Sequence, residues 1–105
     1  MSSFVFFVSV PTKEESVKIA NKLIENKLVA CVSIIHDIHS IFWWKGTIEE
    51  DNEYLLIMKT IEKKANELIQ TIETMHSYET PECIGFKIDI GSDSYLKWIK
   101  NSIKE

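Results

Sequence analysis

Residues 29–60 read VACVSIIHDIHSIFWWKGTIEEDNEYLLIMKT, and the fold follows from this stretch. No apolar set recurs at three- or four-residue spacing, and Val, Ile and aromatic side chains dominate. Residues 29–44 and 47–60 therefore read as two strands, apolar in the second arm from Tyr54 to Met58. Lys45-Gly46 between them is a tight turn. His36-Asp37-Ile38-His39 breaks the pattern of the first arm and is expected to form a bulge or bend. Asp51-Asn52 is a poor strand-forming pair and is expected to kink the second arm.

Outward from this hairpin, the chain alternates cleanly. Residues 4–10 are short, aromatic and β-branched, and they end at Pro11, as a strand does. Thr12 followed by Glu15 is a capping box. Val17, Ala20, Leu23, Ile24 and Leu28 then mark one face of a helix over residues 13–27. Beyond the hairpin, Ile61, Ala65, Leu68, Ile69, Ile72 and Met75 mark a second helix, which Pro81 closes off. Residues 83–90 read as a fourth strand, and Tyr95, Trp98, Ile99 and Ile103 as a terminal helix after Gly91-Ser92. The order is β-α-β-β-α-β plus a helix, which is the ferredoxin-like α+β sandwich on an antiparallel sheet, expected as one domain over residues 1–105. In that topology the helices share one sheet face, and the first and third strands are central.

Both central strands are apolar on both faces. One face is covered by helices, and the other offers Val, Phe or Leu side chains to water. The long hairpin around Phe42-Trp43-Trp44 also exceeds what so short a chain buries by itself. Other copies of the chain are therefore expected to cover the open face and the hairpin. A charge at Tyr54 or Leu56 is expected to cost assembly before it costs helix.

The chain has 105 residues and a net charge of −4, so a phosphate backbone finds little attraction and no nucleic-acid partner is expected. All 12 basic residues are Lys, which removes the planar Arg fork an acylphosphatase-like site would need. No apolar run reaches the roughly 20 residues of a bilayer span, and no membrane partner is expected. Two cysteines, Cys31 and Cys83, suit reduced thiols and a cytoplasmic location, and no secretory signal is expected in Phe4-Val5-Phe6-Phe7-Val8.

Chemically capable side chains are few. His36, His39, His76, Cys31 and Cys83 are candidate metal ligands, at spacings that match no structural zinc pattern. Cys31 also reads as a small buried hydrophobe. The acidic clusters Glu14-Glu15 and Glu49-Glu50-Asp51 with Glu53 could attract cations, and otherwise read as helix capping and as a solvated hairpin tip. The densest stretch is His76-Ser77-Tyr78-Glu79-Thr80-Pro81-Glu82, an imidazole, a phenol and carboxylates in one loop. No nucleophile–base pair and no phosphate-binding Gly loop is present, so no enzyme is expected.

Taken together, Ser9-Val10-Pro11, Leu28 through Ile35, Ser40 through Glu49, Leu55 through Thr60, the loop from His76 to Glu82, and Tyr95-Leu96-Lys97-Trp98-Ile99 resemble the CutA family of divalent-cation tolerance proteins. The resemblance implies a homotrimer, similar in fold to the PII signal proteins, with sheets turned inward and hairpins embracing neighbours. It implies a link to copper and other divalent metals and no firm enzymatic activity. In the family, clefts between subunits collect motif side chains; the matching positions are Cys31, Trp44, Lys59, His76, Tyr78 and Glu79. Some bacterial members carry a Cys where this chain has Val8, and two adjacent His where it has Met75 and His76, leaving His76 as the implied metal ligand. Two readings of the cleft follow. A divalent ion such as copper could be bound through His76, or a small anionic ligand could be held in the PII manner by Lys59 with Trp44 or Tyr78 as a stacking wall.

Overall fold

The computed structural model describes residues 2–104. Strand β1 (Ser3–Val10) leads to helix α1 (Lys13–Glu25), then strands β2 (Cys31–Trp44) and β3 (Thr47–Ile61). A 3-10 turn (Glu62–Lys64) opens helix α2 (Ala65–Met75), followed by strand β4 (Cys83–Lys87) and helix α3 (Asp93–Ser102). The four strands form one antiparallel sheet in the order β2-β3-β1-β4, with β1 and β3 central as the ferredoxin-like reading requires.

Thr12 caps α1, its Oγ1 accepting from the Glu15 amide at 3.1 Å. The helix stops two residues short of the sequence reading, at a left-handed Lys27 (φ 56°). There the Lys27 amide donates to Ile24 O and the Leu28 amide to Leu23 O, a Schellman closure that turns Leu28 into the core. The fourth strand stops at Lys87 rather than residue 90, with Lys87 paired to Phe4 near the start of β1. Ile88 N still bonds to Ser3 O, Ser2 O is taken by Glu62 N on the other side, and Ile90 stands 91% exposed.

The bulge lies where the sequence places it. Register slips between Ile35 and Ile38, with Asp37 left-handed (φ 59°). Asp51-Asn52 does not interrupt the strand; β3 runs unbroken over 15 residues because β2 pairs with it along the arm. Lys45 and Gly46 both take positive φ, 48° and 83°, as the two-residue hairpin turn demands.

Side chains divide by strand parity. Phe6, Val8 and Val10 of β1 and Leu56 and Met58 of β3 face α1 and α2, where Ile19, Leu23, Leu28, Leu68 and Ile72 complete the core. Val5, Phe7, Leu55 and Ile57 point to the opposite face, beside Ile84 and Phe86 of β4 and Ile35 of β2. That face is apolar and only partly covered, with Ile84 57%, Phe86 51% and Ile35 41% exposed. Tyr54 and Leu56 share one parity, so the expectation that a charge at either would first cost assembly is corrected. Both face the helix layer, Leu56 with no exposure, and the outward positions are Leu55 and Ile57. Helix α3 touches β1 and β3, and Tyr95 Oη lies 3.7 Å from Cys31 Sγ on the open face. Beyond the bulge the hairpin extends past the end of β1, drawing the molecule out to 44 × 26 × 23 Å.

Candidate functional site

The bulge adds one residue to β2, so Ser40, Phe42 and Trp44 fall on the same face as Glu49, Asp51 and Glu53 of β3. The loop from Ser77 to Glu82 stands opposite them. Together they enclose an open groove of about 800 Å³ lined by Phe42, Trp44 and Tyr78 and by the carboxylates of Glu49, Asp51, Glu53, Glu79 and Glu82. Lys45 spans its rim, with Nζ 3.7 Å from Glu79 Oε2 and 5.4 Å from the centre of the Trp44 ring.

Tyr78 donates its hydroxyl to Glu53 Oε2 at 2.8 Å. Burial, and then that carboxylate, raise the phenol well above the ordinary tyrosine range. Glu53 itself is only 6% exposed, which makes it the best-sheltered carboxylate on the sheet. The sequence reading placed it in a solvated tip. Its signal was the i, i+2 spacing of Glu49, Asp51 and Glu53, which puts three acids on one strand face.

His76 lies beneath the groove with its side chain fully buried. Its Nε2–H donates to Ser9 O at 2.7 Å, and Nδ1 accepts the Tyr78 amide at 3.0 Å. Both ring nitrogens are thereby engaged, and Glu15 Oε2 lies 3.4 Å from Nδ1. Glu15 completes the tether. Instead of turning back to its own helix, its carboxylate accepts from Ser77 N at 3.0 Å and Ser77 Oγ at 2.6 Å. His76 and Glu15 thus hold the loop against β1 and α1, and the loop in turn positions Tyr78 and Glu79.

Of the six cleft positions implied by resemblance, Trp44, Tyr78 and Glu79 line the groove and His76 braces it. Cys31 and Lys59 do not join them. They pair across β2 and β3 at the far end of the sheet, on the open face, near Tyr95. The other candidates also lie apart. His39 bonds Glu50 at 2.7 Å on the hairpin, and His36 packs edge-on against Tyr54 at 5.3 Å. Burial, with Glu73 nearby, pushes the Cys83 thiol up to about 11, which leaves it a poor ligand. Among the described residues no group of three His, Cys, Asp or Glu side chains is arranged to hold a metal ion.

Residues 4–102 match the family described as CutA1 divalent ion tolerance protein. The chain is 42% identical over 98% of its length to a chloroplastic Protein CutA 1 of Oryza sativa subsp. japonica, of which it spans 58%. It is 38% identical over 99% of its length to the divalent-cation tolerance protein CutA of Archaeoglobus fulgidus, all of which it spans. The chain thus spans little more than half of the plant relative. A crystal structure of CutA1 from Oryza sativa superposes with a TM-score of 0.95 at 41% identity, covering 100% of this chain and 96% of that one.

Proposed function

The chain belongs to the CutA1 divalent ion tolerance family, and from that premise we propose that it acts without catalysis, as a homotrimer that takes cations in clefts between its subunits. One observation carries the reading. Val5, Phe7, Leu55, Ile57, Ile84 and Phe86 make a continuous apolar sheet face that the protomer covers only in part. An exposed apolar sheet face of this kind marks a protein–protein contact, and the resemblance supplies the number of copies.

Assembly also answers the division of the site. The groove end carries Trp44, Tyr78 and Glu79, the other end carries Cys31 and Lys59, and the cleft is whole only when the two ends come from different copies. Among the described residues the side chains of one protomer do not fit a metal ion: the groove offers carboxylates without a converging trio, and the buried imidazole is fully engaged. Oxygen donors suit hard divalent ions, and copper calls for a soft donor, which Cys31 of a neighbouring copy would supply. Charge favours cations over the PII-like anionic ligand, because five carboxylates line the groove and its rim lysine already pairs with Glu79. The two unpaired thiols fit a reducing, cytoplasmic setting.

Calorimetric titration of copper and zinc into wild type, Cys31→Ala and Ile57→Glu tests this. Binding to wild type that is weakened in both variants is the expected result. Equal binding by the dissociated Ile57→Glu protein would overturn the intersubunit site.

A further inference from the structure

We draw no further inference here: the strongest candidate, the exposed apolar patch of Ile41, Trp43 and Ile48 on the face of the β2–β3 hairpin opposite the groove, carries nothing because nothing in the structure shows what covers it.

Discussion

His76→Ala separates a bracing role from a metal-binding one. The wild-type ring satisfies two backbone groups, accepting the Tyr78 amide on Nδ1 and donating Nε2–H to Ser9 O, with its side chain fully buried. Alanine leaves both without a partner. A buried polar group left unpaired costs about 1–3 kcal/mol, so the two together cost about 2–6 kcal/mol, less whatever a water entering the vacated space returns. In a domain of this size that corresponds to a fall in Tm of roughly 10–30 °C. The assay is denaturant and thermal unfolding at one fixed protein concentration, because assembly adds its own stabilisation. His76→Gln, which keeps one donor and one acceptor, should recover part of the loss. The loss should be the same with and without copper. A variant within about 1 kcal/mol of wild type would refute the reasoning, as would copper broadening the His76 ring resonances while the loop stays in place.

Other outcomes follow from the same geometry. Ile57→Glu should dissociate the assembly and keep its helix content, and Leu56→Glu, in the fully buried core, should abolish folding; circular dichroism and sedimentation read the pair. The carboxylate of Glu50 bonded to His39 raises that imidazole above its ordinary 6.5, with Asn52 adding to it. Its contribution to stability is therefore complete below pH 6.5 and is lost as pH rises through the folded value. Glu50→Gln should bring the His39 titration, followed by NMR, back toward 6.5. A methyl group at Gly85 would sit 2.6 Å from the Phe6 ring, so Gly85→Ala should lower stability by about 1–3 kcal/mol in a denaturant melt.

Element order, the sheet's central pair and the bulge were legible because they rest on local signals: hydrophobic period, capping and turn chemistry, and Asp37 at a break in alternation. What could not be read depends on distant partners. The end of β4 depends on its register against β1, and the continuity of β3 on β2 beside it. Which of Tyr54 to Ile57 faces outward needed a register, since an apolar run carries no parity of its own. The candidate site shows the same division. Tyr78 and Glu79 were found as a dense loop, but Glu53 entered only through the Tyr78 hydroxyl, 25 residues away, and Glu15 through the Ser77 amide, 62 residues away. His76 drew notice for its imidazole, whereas its role in the structure comes from a bond to Ser9 across 67 residues.

The half-covered apolar face of the sheet is the centre of the account, and sedimentation equilibrium of the untagged chain across nanomolar to micromolar concentration measures its consequence directly. A single species of three protomer masses persisting at micromolar dilution is the predicted result. A folded species of one protomer mass, 12.2 kDa, under the same conditions would contradict it.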